Sequence, residues 1–337
     1  MRLLNMKAIS LISGGLDSSL ATKLILDQGI EVVGLNCKSP FCQCDHGKGC
    51  KSSSKEISQK FGIELRHINT SLEFLEIVKN PPHGYGSNIN PCIDCRILML
   101  KKAKELMQQI GASFIITGEV MGQRPMSQKR PTLRLIEKEA GLTGFIVRPL
   151  SAKVLESTEP EKLGWIDRDK LLSISGRGRK EQISLAKEFN INDYPCPAGG
   201  CLLTNEGYAN KVRDLVRHNE LRLENIALLK IGRHFRIDSR SKLIVGRDEK
   251  ENQRLLDMAK DGDFIFEPCE EIKGPVALGK GEFQDKEQIE KSCGIVGRYC
   301  DNGYVDLRIR IRKHPSDSEN IISCPALKDN EISTLRI

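Results

Sequence analysis

Ser13-Gly14-Gly15-Leu16-Asp17-Ser18-Ser19 follows a short apolar run over residues 7–12 and leads into Leu20, Ala21, Leu24 and Ile25, which recur at helical spacing. A strand, a glycine turn and a helix in that order decide the fold. Two glycines let the backbone approach an oxyanion closely, and the amides that follow, with the helix N-terminus, form a nest for phosphate. Ser18 and Ser19 add hydroxyl donors. Asp17 alone would repel a phosphate, so its chemistry points to Mg²⁺ bridging the phosphates, or to capping the helix. The same seven residues also suit a plain glycine turn with a cap.

Outward from that turn, residues 30–36 and 63–68 read as strands, with a helix over 55–61 between them. Residues 96–110 are a strongly periodic helix, and 113–117 a buried strand ending in Thr117-Gly118-Glu119. Arg148-Pro149-Leu150 closes one more strand. This alternation predicts an α/β fold: a doubly wound parallel sheet with ligands beyond the carboxyl ends of its strands. After Thr204 the texture changes. A basic helical stretch over 208–222 precedes short strand-like runs at 234–237, 242–245, 264–266, 294–296 and 305–311. The expected division is a catalytic domain over 1–205, a smaller C-terminal α+β domain over 206–315, and a loose polar tail over 316–337.

The chain has 337 residues, 39% of them hydrophobic and 29% charged, enough to bury more than one core. No apolar stretch approaches the roughly 18 residues of a membrane helix, and the first apolar run is a buried strand and not a signal peptide. A cytoplasmic protein with no membrane partner is expected. Its formal charge of +7 permits a polyanionic partner without requiring one.

Twelve cysteines in a reducing compartment suggest metal or sulfur chemistry more than disulfides. Asn90-Pro91-Cys92-Ile93-Asp94-Cys95 places two thiols at a helix start, where the positive end of the dipole should favour thiolate. Pro195-Cys196-Pro197-Ala198-Gly199-Gly200-Cys201 places another thiol at a loop end. Cys92, Cys95 and Cys201 are one ligand short of a closed zinc site; around a [4Fe-4S] cluster they would leave one iron open. Without a cluster they suit a persulfide carrier and its resolving partner. Cys37, Cys42, Cys44 and Cys50, with His46, form a separate group that suits Zn²⁺ or a flexible exposed loop.

Ser13-Gly14-Gly15-Leu16-Asp17-Ser18-Ser19 resembles the signature of the PP-loop ATP pyrophosphatases, an adenine nucleotide alpha-hydrolase-like fold. Asn90-Pro91-Cys92-Ile93-Asp94-Cys95 looks like the corresponding element of tRNA thiouridine synthetases. Thr117-Gly118-Glu119, Gly122-Gln123, Ser127-Gln128, Leu133-Arg134, Arg148-Pro149-Leu150 and Gly199-Gly200-Cys201-Leu202-Leu203-Thr204 resemble 4-thiouridine synthetases in the same order. The resemblance implies ATP-dependent tRNA sulfur transfer: a uracil carbonyl is adenylated, and a sulfur species then displaces AMP, giving 4-thiouridine at position 8. It assigns Ser13, Gly14, Gly15, Leu16, Asp17, Ser18 and Ser19 to the phosphates, Gly118 and Glu119 to the nucleotide border, and Cys92, Cys95 and Cys201 to the sulfur-transferring, metal-holding centre. Asp17 would act in catalysis through Mg²⁺. The donor would be sulfide or a cysteine desulfurase persulfide, and the arrangement allows a homodimer. Arg124 and Arg134 are candidates for phosphate or RNA contact, or for a solvated surface.

Two departures qualify this pattern. With the glycine motif almost at residue 1, the N-terminal RNA-binding extension of 4-thiouridine enzymes is expected to be missing, and Cys196 has no counterpart, so it is a bystander or replaces Cys201. Gly232-Arg233-His234-Phe235-Arg236 and Val245-Gly246-Arg247 resemble the RNA-binding region of NFACT-type proteins. With Lys211, Arg213, Arg217, Arg222, Lys230, Arg308, Arg310, Arg312 and Lys313 they predict a tRNA-docking module. Rival readings are a PP-loop synthetase or amidotransferase acting on a small molecule, 2-thiolation of a tRNA base through a cysteine persulfide, and a non-enzymatic RNA-binding metalloprotein.

Overall fold

The computed structural model describes residues 6–42, 50–191, 194, 200–269, 272–301, 307–316 and 318–337, with the backbone alone for 50–53. The chain separates into two compact units, Met1–Thr204 and Asn205–Ile337.

The first unit runs β1 (Lys7–Leu11), α1 (Leu16–Leu26), β2 (Glu31–Lys38), α2 (Cys50–Phe61), β3 (Leu65–Asn69), α3 (Ser71–Lys79), α4 (Cys92–Ile110), β4 (Phe114–Ile116), α5 (Arg130–Ala140), β5 (Ile146–Val147), α6 (Glu159–Lys162) and α7 (Lys180–Glu188). Its five strands are all parallel, in the order β3-β2-β1-β4-β5. Such strands are buried on both faces, which explains their near-continuous apolar runs. Ala8, Phe114 and Ile116 pack with Leu16, Leu20 and Ile25 of α1 on one face. Ile9 and Ile115 pack with Ile97, Leu100 and Leu106 of α4 and Ile136 of α5 on the other. The sheet is doubly wound, as its sequence predicts. Strand order reverses beside β1, so the carboxyl ends of β1 and β4 flank the crevice where such sheets take ligands.

Helix α4 starts four residues earlier than its apolar periodicity suggested. Pro91 stands at its N-cap and accepts a hydrogen bond from the Cys95 amide at 2.9 Å, so Cys92 and Cys95 both lie in the first turn. The helix stops at Gly111, whose φ of 66° is the left-handed conformation that glycine adopts without strain.

The second unit runs α8 (Glu206–Arg217), α9 (Leu223–Leu228), β6 (Arg233–Arg236), β7 (Ser241–Val245), α10 (Glu249–Asp257), β8 (Phe264–Pro268), β9 (Ala277–Gly281), α11 (Lys286–Arg298), β10 (Leu307–Lys313), β11 (Glu319–Cys324) and α12 (Asp329–Leu335). Its six strands form an antiparallel sheet in the order β11-β10-β8-β9-β7-β6. Phe235, Phe266, Ile309 and Ile311 pack with Ile295 and Val296 of α11 and Ile332 of α12. Ile244, Ile265 and Leu278 pack with Leu228 of α9 and Leu255 of α10 on the opposite face. This is the expected α+β unit.

Two expectations fail here. Residues 294–296 are not a strand but the middle of α11. A capping box at Asp285 and Gln288 starts that helix, and its glycines admit close neighbours. A Cβ on Gly294 would lie 2.8 Å from Leu327, and one on Gly297 would lie 2.5 Å from Leu307. The polar tail is not loose either. Strand β11 pairs with β10 from Leu307↔Cys324 to Arg312↔Glu319, and Ile332 seats α12 in the core. As an edge strand β11 is exposed along most of its length, so its sequence reads as polar.

His234 Nε2 donates to the Ile231 carbonyl at 2.8 Å, and the ring is fully enclosed. Burial, with Lys242 and Lys211 adding to it, holds its pKa well below the ordinary histidine range, so the folded imidazole stays neutral. An unfolded histidine takes a proton near pH 6.5. Stability should therefore fall as pH drops below about 6.5, by up to about 1.4 kcal/mol per pH unit from this residue. Urea melts at pH 7.5, 6.5 and 5.5 should show that component, and His234→Gln should remove it.

Candidate functional site

The turn after β1 is shaped by its own serines. Ser18 and Ser19 both donate to the Gly15 carbonyl, at 2.9 and 3.0 Å, while the Gly15 amide donates to Ser13 Oγ at 3.3 Å. Gly14 has φ 79°, which only glycine takes readily. The turn is backed by Gly118, just past β4. A Cβ there would lie 2.5 Å from the Ser18 nitrogen and 2.6 Å from the Asp17 carbonyl carbon. Gly118 therefore borders the Ser13–Ser19 turn by backbone contact. Gly118→Ala should push the loop away, costing about 1–3 kcal/mol of stability and on the order of 10-fold in ATP affinity. Thermal melts and nucleotide titration read both effects.

Asp17 is half-buried beside this turn. Gln123 donates to its Oδ2 at 3.0 Å, and Arg179 stands 3.6 Å away. Its Oδ1 is buried with no hydrogen-bond partner. Burial lifts the carboxyl above its ordinary value, while Arg179, the Gln123 amide and Arg124 pull it back part of the way. A buried carboxylate oxygen without a donor, in the first turn of the helix that follows the glycine turn, fits a Mg²⁺ ligand.

Glu119 is placed differently from Gly118. Its carboxylate is enclosed, accepts from Arg148 Nε at 3.0 Å and from Thr117 Oγ1 at 3.2 Å, and lies 3.7 Å from Arg96. Arg148 also pairs with Glu137. Burial opposes the Glu119 charge, but Arg148 and Arg96 hold its pKa below the usual value. This network ties the segment after β4 to the segment after β5. Arg134 sits on the exposed side of α5, paired with Glu156.

The cysteines converge more than their sequence grouping suggests. Leu202 donates to the Phe41 carbonyl at 3.0 Å, Ile89 donates to the Leu203 carbonyl at 3.4 Å, and Asn88 Nδ2 donates to the Thr204 carbonyl at 2.9 Å. These bonds sew residues 201–204 between the loop after β2 and the loop before α4. Cys201 forms an antiparallel bridge with Cys42. Cys95 feels the charges of Cys42 and Cys92, and Cys37 and Cys201 feel that of Cys95. Cys37 and Cys42 thus lie in the neighbourhood of Cys92, Cys95 and Cys201. Cys44, the side chain of Cys50, and Cys196 lie outside the described residues.

The expected thiolates are corrected. Burial pushes Cys95 up to about 11, Cys37 and Cys201 up to about 12, and Cys92 above its ordinary value. At Cys92 and Cys95 desolvation outweighs the helix terminus. Among the described residues, no group of three Cys, His, Asp or Glu side chains is already arranged to hold a metal ion. The donor chemistry still fits a cluster, because buried thiols stay protonated until a metal displaces the proton.

Two arginines that the sequence reading left without a role join this neighbourhood. Arg124 shares its electrostatic surroundings with Arg96, Arg179, Cys92 and Asp17. Its neighbour Gln123 bonds Asp17 at 3.0 Å, so the segment carrying Arg124 touches the glycine turn. Arg96 follows the second cysteine of the helix start, and Arg179 precedes α7 in the Gly176-Arg177-Gly178-Arg179 run; that glycine–arginine alternation was the available signal.

In the second unit several basic residues are internal. Arg236 makes four hydrogen bonds of 2.6–3.0 Å to Asp214 and Glu220. Lys242 joins Asp214 at 3.0 Å, Lys211 donates to the Leu229 carbonyl at 3.1 Å, and Arg233 stacks 4.5 Å from the Tyr299 ring. Arg236 and His234 are therefore packing residues and not part of a phosphate-tracking series. Strand β10 does alternate: Leu307, Ile309 and Ile311 face inward and Arg308, Arg310 and Arg312 face the other way. Arg310 is paired with Glu319 and Glu267, while Arg217, Arg222 and Arg308 are exposed. No helix among the described residues is long and apolar enough to cross a membrane.

Comparison with known proteins agrees with both units. Residues 4–156 match the family model of the Thiamine biosynthesis protein (ThiI), and residues 232–336 match that of the NFACT protein RNA binding domain. The tRNA-specific 2-thiouridylase MnmA of Proteus mirabilis (strain HI4320) is 29% identical over 164 residues, 46% of this chain and 44% of that protein. The "Probable tRNA sulfurtransferase" of Lysinibacillus sphaericus (strain C3-41) is 31% identical over 164 residues, 48% of this chain and 39% of that protein. A solved 4-thiouridine synthetase in complex with RNA and ATP superposes with a TM-score of 0.39 and 22% identity, covering 66% of this chain and 53% of that one. The chain spans less than half the length of the two relatives. Residues 4–156 are thus similar to the ThiI family and residues 232–336 to the NFACT RNA-binding family, one match in each unit.

Proposed function

We propose that this chain is an ATP-dependent tRNA sulfurtransferase that adenylates a uracil carbonyl and replaces its oxygen with sulfur, with 4-thiouridine at position 8 the favoured product. One observation carries the reading: Arg124 sits in the same electrostatic neighbourhood as Asp17 of the phosphate loop and Cys92 of the thiol group. A nucleotide-activating loop and a set of thiols have reason to share one crevice when the activated atom is to be replaced by sulfur.

In this proposal the amides and hydroxyls of residues 13–19 bind the ATP phosphates. Gly118 lets that loop close against β4. Asp17 Oδ1 would hold Mg²⁺, which screens charge on the phosphates. Arg124, Arg96 and Arg179 stabilise the phosphate charge as the uracil oxygen attacks, and hold AMP as it leaves. Cys92, Cys95 and Cys201 form the sulfur-transferring centre. A [4Fe-4S] cluster on these three thiolates would supply one iron site open to the sulfur donor. Exposed arginines of the second unit, Arg308 among them, dock the tRNA backbone.

A second reading, 2-thiolation or 4-thiolation by a cysteine persulfide without a cluster, is favoured by the bridge between Cys42 and Cys201. A small-molecule synthetase or amidotransferase is disfavoured, because amide formation has no use for five converging thiols.

The test supplies purified protein with unmodified tRNA transcript, Mg-ATP, and either sulfide or a persulfide donor. Digested RNA is analysed for 4-thiouridine and 2-thiouridine by mass spectrometry, alongside AMP and pyrophosphate release and iron content. Thionucleoside formed in step with AMP supports the reading. ATP turnover with no thionucleoside in either arm sinks it.

A further inference from the structure

We propose that Cys42 is the resolving thiol of Cys201, acting through a cross-strand disulfide. The inference rests on the reading that Cys201 handles the transferred sulfur, and it adds a residue to that chemistry.

The argument begins with the pairing. Cys42 and Cys201 are directly opposed across an antiparallel bridge. The bond from the Leu202 amide to the Phe41 carbonyl joins the residue after Cys201 to the residue before Cys42. That pattern marks a non-hydrogen-bonded pair, in which the Cα atoms stand about 4.5 Å apart and both side chains leave the same face. Disulfides span Cα separations of about 4.4–6.8 Å. A pair of this type therefore falls inside the range that a disulfide spans. The register is also held from behind: Phe41 is fully buried against Phe74, with ring centroids 5.7 Å apart. Leu203, two residues beyond Cys201, is fully buried as well. The charge effect of Cys42 on the Cys201 thiol agrees with this closeness.

The chemistry balances without an added oxidant. A small-molecule persulfide first passes its outer sulfur to Cys201, giving Cys201–S–SH and a thiolate. The Cys42 thiolate then attacks Cys201 Sγ, the S–S bond of the persulfide breaks, and HS⁻ leaves. The two cysteine sulfurs are oxidised to a disulfide, and the sulfane sulfur is reduced to hydrosulfide. Hydrosulfide is thereby released within the crevice that holds the activated base. Two equivalents of an external thiol reductant reopen the Cys42–Cys201 bond for the next cycle.

The experiment uses the full chain, reduced, iron-free and desalted, treated with glutathione persulfide. Released sulfide is assayed, and linkages are mapped by tandem mass spectrometry under non-reducing conditions. Wild type should show a 42–201 disulfide and about one sulfide for each bond formed. Cys42→Ser should keep the persulfide on Cys201 and release at least ~10-fold less sulfide. A wild-type protein with no 42–201 bond, or with Cys201 joined to Cys92 or Cys95, overturns the proposal, as does equal sulfide release from Cys42→Ser. Diamide oxidation of wild type gives an independent check on geometry: failure to yield the 42–201 bond also overturns it. Thiolation of tRNA by Cys201→Ser is measured separately; retained activity there would sink the underlying reading whatever the linkage map shows.

Discussion

Replacing Cys201 by serine is expected to lower tRNA thiolation by on the order of 10³-fold or more, with ATP binding unchanged within about 2-fold. Cys201 is half-buried in a short turn that is held chiefly by backbone bonds, Leu202 to the Phe41 carbonyl and Thr204 to the Cys201 carbonyl. Serine keeps the size and the backbone bonds, so the turn should survive. It cannot carry a sulfane sulfur or act as a soft metal ligand, so the sulfur step should not. Nucleotide titration, thermal melts and thionucleoside yield together separate these effects. Near-normal thionucleoside yield would remove Cys201 from the chemistry and leave Cys92 and Cys95 as the only candidates from the original set.

Asp17→Asn is expected to cut kcat/KM for ATP by roughly 10²–10³-fold, the scale for losing one electrostatic group aimed at developing charge. Its stability should be unchanged or slightly higher. Burial raises the Asp17 carboxyl despite Arg179, so the ionised form is held at a cost that asparagine does not bear. Asparagine can still accept from Gln123, which preserves the contact to Oδ2. A rate within a few-fold of wild type would show that no Mg²⁺-dependent step passes through this oxygen.

The parallel sheet and the glycine turn between β1 and α1 were readable because their signals are local. Glycines sit where a positive φ or a close approach is required, and strands buried on both faces are apolar throughout. The start of α4 was less readable: Asn90-Pro91-Cys92-Ile93-Asp94-Cys95 has too few apolar residues to show a helical period. The company of Cys42 was hidden for another reason. It depends on pairing two loops about 160 residues apart, which no local pattern encodes. The basic series past Glu206 misled in the opposite direction. Charge runs usually lie in solvent, yet Arg236 and Lys242 are neutralised by Asp214, which stands on α8 far back in the sequence. Residues 294–296 read as a strand from Ile295 and Val296, and tertiary packing of two glycines overrode that preference.

The Arg148 guanidinium, enclosed between Glu119 and Glu137, lies beyond the reach of dissolved ions. Counter-ions screen exposed charges within roughly 8 Å at physiological ionic strength but hardly touch buried pairs. Raising salt from ~50 to ~200 mM should therefore leave the crevice wall and ATP-dependent chemistry intact, while phosphate contacts to exposed arginines weaken by several orders of magnitude in a strongly basic site and less in this mildly basic one. If the chain acts as proposed, ionic strength is then a dial that separates RNA capture from catalysis in the intact protein.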